Sequence, residues 1–408
     1  MRPTRRGRIL VAGGGLTGLA LGIALRHRGF APVVLERSAG PDRAGGGLVL
    51  APNALKALAA IAPGLAGRVR AAGHAAGERG AAPHRSVFLD ERGRVLGSVS
   101  FDGYEDRWGM PAVTLLRSDL HALLWDAAED AGVEIARGFA ADRYADDGAH
   151  VDLVSRTGEV RRGDVLVGAD GANSAVRAQL LGDGPPRYRG FSAVRGVGPA
   201  PGAYRDGFIA YGRGVVLFAA AIGGGDLYWV ASMTAPRGDL PRRPVEEALA
   251  EVIERTRAWH PDLRKVPASA DPARCAVHDV CDRPPPRTWH RGRVALAGDA
   301  AHPMVYTLGQ GAGMALEDAS VLAAALDATG AAEVERRLRG YAAERGPRVR
   351  PVVRMSRMLG QIAHVRSPLT AAVRDAVLRA TTRGTDGGGQ NAGLFGWTPP
   401  APPGAEPA

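Results

Sequence analysis

The chain has 408 residues, more than one small core holds, and its 45% hydrophobic and 23% charged residues exclude wholesale disorder. Its net charge of +10 comes almost wholly from arginine, yet no Lys/Arg block with interleaved aromatics occurs, so nucleic acid is not expected as a partner. Two cysteines, Cys275 and Cys281, are too few for a disulfide scaffold or a zinc site, so reduced thiols and no metal are expected.

At the start of the chain Arg2, Arg5 and Arg6 precede an apolar run from Ile9 to Leu25, an arrangement that resembles a signal peptide. The run carries Gly13, Gly14, Gly15, Gly18 and Gly22, and Arg8 stands where a twin-arginine signal prefers an apolar residue. No later stretch of about 20 apolar residues is long enough to span a bilayer. A cytoplasmic protein without a membrane partner is expected.

The glycines fit a nucleotide site better. Ile9-Leu10-Val11-Ala12 reads as a buried parallel strand, and Gly13-Gly14-Gly15-Leu16-Thr17-Gly18 matches G-x-G-x-x-G. Leu16, Leu19 and Ile23 follow at helical spacing, Gly29 ends the helix, and a second strand from Pro32 runs into Glu36. Gly13 lets the chain turn off the strand, Gly15 lets backbone N–H groups approach a pyrophosphate, and Gly18 lets helix and strand pack closely. The helix N-terminus adds partial positive charge for the phosphates. Glu36, 18 residues after Gly18, can accept both ribose hydroxyls of an adenosine and would repel a 2′-phosphate, which points to FAD or NAD. An S-adenosylmethionine methyltransferase uses a similar turn and acid, so these residues alone leave that alternative open.

Two later segments narrow the choice. The run from Asp164 to Arg177 is an apolar strand ending in Asp170-Gly171, then a polar turn opening a helix. The run from Arg293 to Pro303 repeats the pattern around Gly298-Asp299, and Gly309-Gln310-Gly311-Ala312-Gly313 opens an apolar helix through Met314, Leu316, Leu322 and Leu326. Taken alone, Asp170 and Asp299 read as strand-end helix caps, and Arg117 as a surface charge.

These motifs together resemble the single-component (class A) FAD-dependent aromatic-hydroxylase monooxygenases of the short, salicylate-hydroxylase-like kind. The resemblance covers roughly residues 7 to 365 and includes Glu36-Arg37, Gly45-Gly46-Gly47-Leu48 before Pro52-Asn53-Ala54, and Leu116-Arg117-Ser118-Asp119-Leu120. Tyr341, Glu344, Arg345, Pro347 and Arg348 also match the family's C-terminal helix. A methyltransferase has no use for the later motifs.

The resemblance implies an α/β fold: a Rossmann-like FAD-binding domain, an inserted, mostly antiparallel β-sheet domain for the substrate, and C-terminal helices. The expected boundaries are 1–75, 103–182 and 287–380 for the discontinuous FAD domain, and 76–102 with 183–286 for the substrate domain. A hairpin is expected near 84–101, and 383–408, rich in Gly, Pro and Ala, is expected to be poorly ordered. The expected cofactor contacts are Gly13, Gly15, Leu16, Thr17 and Gly18 in the first turn, with Glu36, Arg37 and Gly47 beyond it. Arg117 would neutralise the pyrophosphate, and Asp299 would accept from a ribityl hydroxyl. Gly309, Gly311, Ala312 and Gly313 would aim a helix N-terminus at the N1/C2=O edge of the isoalloxazine, favouring the anionic reduced flavin. Asp170 lies in a motif that the resemblance ties to both FAD and NAD(P)H. No second G-x-G-x-x-G occurs, so NADH or NADPH would bind transiently.

The implied reaction uses NAD(P)H and O2 and places one oxygen on an aromatic carbon through a flavin C4a-hydroperoxide. Epoxidation or Baeyer–Villiger oxygenation is the alternative, as is a non-catalytic FAD-fold binding module; the Trp-x-Trp-x-Ile-Pro signature of flavin halogenases is missing. His302 reads as structural, and Glu317 and Asp318 as helix-face polar groups. Where relatives carry Pro and Asn before Gly-Gln-Gly, this chain has Pro303-Met304-Val305-Tyr306-Thr307-Leu308. Where relatives carry a roof-strand His and Tyr, it has Val215 or Val216 and Ala219 or Ala220. A roomy apolar pocket for a polyketide-like or other polycyclic secondary metabolite, as in antibiotic biosynthesis, is expected. No catalytic residue is identified; Arg195, Tyr211 and Tyr306 are the candidates for pocket polarity. A monomer or homodimer is expected.

Overall fold

The structure is a computed structural model that describes residues 6–41, 46–77, 84–200, 202–204, 206–327, 334–382 and 392–401. Its first layer is a six-stranded sheet, in the order His290–Arg291, Val294–Leu296, Val165–Gly168, Arg6–Ala12, Phe30–Glu36 and Glu134–Arg137. All neighbours run parallel except the first pair. Strands covered on both faces must be apolar throughout, and Val165–Gly168 and Val294–Leu296 are buried at every position. Helix Leu16–His27 is buried from Thr17 through Leu25, as an all-round apolar helix must be. It packs with helices Pro52–Ile61, Arg117–Asp130 and Gly311–Asp327 in one core. The antiparallel strands Ala141–Asp146, Val151–Ser155 and Val160–Gly163 join that core through Val151 and Leu153.

A seven-stranded sheet forms the second layer, in the order Ala276–Asp282, Arg187–Pro199, Asp226–Thr234, Val215–Gly223, Gly207–Tyr211, Arg85–Asp90 and Val95–Ser100. Only the pair Gly207–Tyr211 and Arg85–Asp90 is parallel. Side chains alternate across it with period two. Leu217, Ala219, Trp229 and Ala231 enter a core with Leu249, Val252 and Leu263 of helices Val245–Thr256 and Pro261–Ala268. Phe191, Ala193, Tyr228, Val230 and Val280 point the other way and meet Val305 and Tyr306. The sheet is thus a roof over the segment that links Asp299 to helix Gly311–Asp327. A small sheet of Gly47–Leu50, Ala112–Leu116 and His74–Ala76 lies at its side, where Gly46 and Gly47 touch Tyr228.

Two segments depart from the expected organisation. Helix Pro368–Thr382, placed largely inside the expected 287–380 segment, packs on the seven-stranded sheet instead. Its Arg374 donates to Gly212 O (2.9 Å), and its Thr382 donates to Leu96 O (3.4 Å). Within the tail expected to be poorly ordered, residues 392–401 are folded. Phe395 is buried against Tyr104 and Trp108, Trp397 lies under the Arg348 guanidinium, and Ala401 O accepts from Arg28. Three aromatic and cationic contacts outweigh the local Gly/Pro composition there. Residues 383–391 and 402–408 lie outside the described residues.

Candidate active site

Three adjacent parallel strands end level with one another: Ala12 pairs with Gly168, and Gly168 with Leu296. Strand order reverses around Arg6–Ala12, so the crevice beyond these carboxyl ends is the place where an open α/β sheet takes a ligand. Each strand end carries one of the three motifs, and the motifs touch in pairs. Gly13 has φ +101°, and a Cβ there would lie 2.5 Å from Ala169 O, so the first turn rests on the second. A Cβ on Gly298 would lie 2.2 Å from Thr17 Oγ1, so the first helix rests on the third. Arg177 Nη1 donates to Ala300 O (3.0 Å) and Ala301 O (2.7 Å), tying the second to the third.

The first turn is also held from the sides. Glu36 Oε2 accepts from Gly14 N (2.6 Å) and Oε1 from Ser38 N (2.8 Å), which orients the carboxylate and leaves a further lone pair on each oxygen. His121, buried on helix Arg117–Asp130, donates Nε2–H to Gly14 O (2.7 Å). It directly follows Leu120, the last residue of the Leu116–Leu120 motif. Nothing lies within 4 Å of a Cβ on Gly15, so the first helix presents its N-terminal N–H groups, from Leu16 and Thr17 onward, to open space. Arg37 is exposed beyond the strand end.

Asp170 and Asp299 differ. Asp170 Oδ2 accepts from Ala175 N (2.8 Å) and Val176 N (3.3 Å), and Ser174 Oγ donates to Oδ1. Burial raises its carboxyl pKa, and these bonds oppose the rise. The carboxylate is tied to the start of the helix that follows it. Asp299 is solvent-accessible although protein surrounds it on most sides, as on the floor of a cleft. That burial raises its pKa, with His302 and Arg117 pulling it down. Arg117 N donates to Gly46 O (2.9 Å), which sets the helix start beside the Gly46-Gly47 strand. Gly309 (φ +65°) then turns the chain into helix Gly311–Asp327, whose first residues Gly311 and Ala312 are half-buried and whose Gly313 lies against Asn53.

Below that helix lies a buried charge network. Glu317 and Asp318 are fully buried, which overturns the expectation of helix-face polar groups. Arg345 donates to Glu317 Oε2 (2.6 Å) and Asp318 Oδ1 (2.7 Å), and Arg348 Nη2 donates to Glu317 Oε1 (2.7 Å). Asn53 Nδ2 donates to Glu317 Oε1 (2.7 Å) and Gln310 Oε1 (3.1 Å). Asp318 Oδ2 accepts from His302 Nε2 (2.6 Å) and Gly298 N (2.8 Å). Burial would raise the Asp318 pKa, but His302 and Arg345 together hold it below the usual carboxylate value. His302 is fully buried.

On the roof, Arg195 Nη2 lies within hydrogen-bond reach of the His278 ring, which accepts at one nitrogen only. Arginine only donates, so the ring faces it as a neutral acceptor. Burial, with Arg195 beside it, lowers the His278 pKa to about 3. Tyr306 meets the same face; its hydroxyl is buried and has no hydrogen-bond partner among the described residues. Ser232 lies near, but its Oγ is joined to His364 Nε2 (2.8 Å). Burial raises the Tyr306 pKa well above its ordinary value; the nearby Ser232 hydroxyl opposes the rise, Tyr228 adds to it, and Arg195 opposes it. Tyr211 stands apart, under the Arg374 guanidinium (5.1 Å) and against Phe88. Of the three polarity candidates, the fold brings Arg195 and Tyr306 together, while Tyr211, on the same face as its pair partner Val216, is covered by Arg374 of helix Pro368–Thr382. Alternation also decides the strand ambiguity: Val215 and Ala219 enter the far core, so Val216 and Ala220 share the cleft side with Phe218. With Phe218 and Tyr228 in edge contact (6.2 Å) beside Arg195 and His278, the roof is not uniformly small and apolar as expected.

The crevice fits a dinucleotide: an open helix N-terminus, an oriented acid at the second strand, and an accessible acid at the third. A profile of the FAD binding domain matches residues 6–198 and 212–356. The aurachin C monooxygenase/isomerase of Stigmatella aurantiaca is 35% identical over 373 residues, 91% of this chain and 93% of that protein. The 6-hydroxynicotinate 3-monooxygenase of Pseudomonas fluorescens is 31% identical over 361 residues, 86% of this chain and 90% of that protein. The chloroplastic zeaxanthin epoxidase of Spinacia oleracea is 33% identical over 339 residues, 80% of this chain and 48% of that protein. Among solved structures, Klebsiella pneumoniae HpxO complexed with FAD and uric acid superposes with a TM-score of 0.82 at 26% identity, covering 92% of this chain and 93% of that one.

Proposed function

The chain belongs to the class A FAD-dependent monooxygenases, and on that premise we propose that it hydroxylates an aromatic or polyketide-like secondary metabolite with O2, NADH or NADPH serving as reductant. The observation that carries this reading is the pairwise contact of the three strand-end motifs beneath a polar roof. It provides one crevice for a dinucleotide and one covered face for a ring-shaped substrate. Relatives named for aurachin C and 6-hydroxynicotinate support a substrate of this aromatic class.

FAD, when bound, supplies the redox and oxygen chemistry. The protein's residues bind and orient. Glu36 would accept ribose hydroxyls, the N–H groups from Gly15 onward would take the pyrophosphate with Arg117, and Asp299 would accept from the ribityl chain. The N-terminus of helix Gly311–Asp327 would favour negative charge on the ring edge. The roof would exclude water from the reacting face. Arg195 and Tyr306 would hold the substrate's polar group, with His278 keeping the guanidinium in place. Epoxidation is the second reading, favoured by the similarity to zeaxanthin epoxidase.

The test is an absorbance spectrum of the purified protein, then anaerobic addition of NADH or NADPH with and without hydroxybenzoates and hydroxynicotinates. Flavin bands that bleach faster with one ring compound are the expected result. A colourless protein that FAD does not reconstitute would overturn it.

A further inference from the structure

Away from the crevice, the corner where helix Val334–Ala363 gives way to helix Pro368–Thr382 carries an apolar surface that nothing described covers. Leu369, Val373 and Val377, spaced i, i+4, i+8, are 73%, 57% and 54% exposed. Met355, Met358 and Ile362 extend the stripe along the preceding helix, each more than 40% exposed. The remaining exposed positions of helix Pro368–Thr382 are uncharged: Thr370, Ala372, Ala376, Ala380 and Thr381. A contiguous apolar stripe of this length on a folded surface marks an interaction site.

The charges around it are of one sign. From residue 351 to 382 the only carboxylate is Asp375, held by Arg374 at 2.9 Å, while Arg354 and Arg366 are exposed. Arg366 also lines a groove of about 460 Å³ together with Arg92, Arg213 and Arg255. Counting Glu91 in the groove and Glu251, which binds Arg255 at 2.8 Å, four guanidinium groups face two carboxylates, an excess of two. The groove and the stripe adjoin at Arg366, which lines the groove three residues before Leu369, and Gly214 N donates to Val365 O (2.9 Å) beside it.

We propose that this face docks on a bilayer of anionic phospholipid, with headgroup phosphates in the arginine groove and the stripe at the acyl boundary. Charge complementarity favours that occupant. A second copy of the chain, apposed through the same face, would set one excess of guanidinium groups against another. A nucleic acid would satisfy the arginines but not the stripe. No helix among the described residues is long and apolar enough to cross a membrane, so the contact is peripheral.

The experiment is co-sedimentation of the FAD-loaded protein with vesicles of phosphatidylglycerol and phosphatidylcholine, or phosphatidylcholine alone. Binding should require the anionic lipid and weaken with salt. The Leu369→Ser/Val373→Ser/Val377→Ser variant, unchanged in charge, should bind at least about tenfold more weakly, and Arg213→Ala/Arg366→Ala should bind more weakly and with a shallower salt dependence. The flavin spectrum of each variant reports its folding. Three results would overturn the proposal: no preference for anionic vesicles, equal binding by the serine variant, or a wild-type dimer in light scattering that the serine variant turns into a monomer.

Discussion

Arg345 and Arg195 both sit among buried side chains, but their surroundings differ. Arg345 is fully enclosed and meets two carboxylates, and those carboxylates are shared with Arg348, His302, Asn53 and Gly298 N. Arg195 is half-buried and meets a neutral imidazole, beside a tyrosine hydroxyl that has no partner among the described residues. A buried polar group left unpaired is costly: every carboxylate oxygen of the first cluster is bonded, although Asn53 Oδ1 and His302 Nδ1 are not, whereas the second leaves Arg195 Nε and the Tyr306 hydroxyl unpaired. The comparison separates two uses of a buried arginine: the network under helix Gly311–Asp327 spends its donors within the fold, and the roof cluster, on the proposed function, keeps donors for a ligand.

The largest expected effect breaks the network. Arg345→Met would leave Asp318 and part of Glu317 uncompensated and lower stability by about 3–5 kcal/mol in urea unfolding. A loss below about 1 kcal/mol would remove the distinction between the clusters. Next, Arg195→Gln should lower kcat/KM by roughly 10–100-fold, the range of one charge-assisted hydrogen bond. Its urea midpoint should stay near that of the parent. A large stability loss with unchanged kinetics would assign Arg195 to the fold instead.

Acid should separate the clusters by window. His278 and His364 have folded pKa values lowered to about 3 and about 4 from an ordinary 6.5. Between those values the unfolded chain binds protons that the folded chain does not, so stability falls as pH drops from 6.5. Asp318 lies below 3.8 when folded, so its contribution is present above that value and is lost only at lower pH. His278→Asn should flatten the slope between pH 6.5 and 4, read by urea midpoints. The smallest effect is Tyr306→Phe. Removing an unpartnered hydroxyl should change stability by less than about 1 kcal/mol. Slower substrate-stimulated flavin reduction in that variant would show that a ligand takes the hydroxyl.

Local chemistry was legible wherever a backbone shape demanded a residue type. The turn at Gly13, the strand ends at Asp170 and Asp299, and the helix opening at Gly309 all stand where their spacing puts them. The hairpin near 84–101 is also present, as Arg85–Asp90 and Val95–Ser100. Long-range partners were not legible. Asn53 meets Glu317 across 264 positions, and Arg177 meets Ala301 across 124. Neither pairing leaves a periodic trace. Asp170 and Asp299 look alike in the chain, yet one caps a helix and the other stands open to the cleft.

By itself the sequence determined the parallel nucleotide-binding core, because strand apolarity, glycine turns and acid spacing are set within a few tens of residues. Only the tertiary structure decided which polar groups meet. It put Arg195 beside Tyr306 and left Tyr211 under Arg374 because sheet order, not distance along the chain, selects neighbours: the strand of Tyr211 is three places from the strand of Arg195. It also assembled the apolar face at residues 355–377, which no hydropathy window detects, because its six side chains come from two helices that turn a corner.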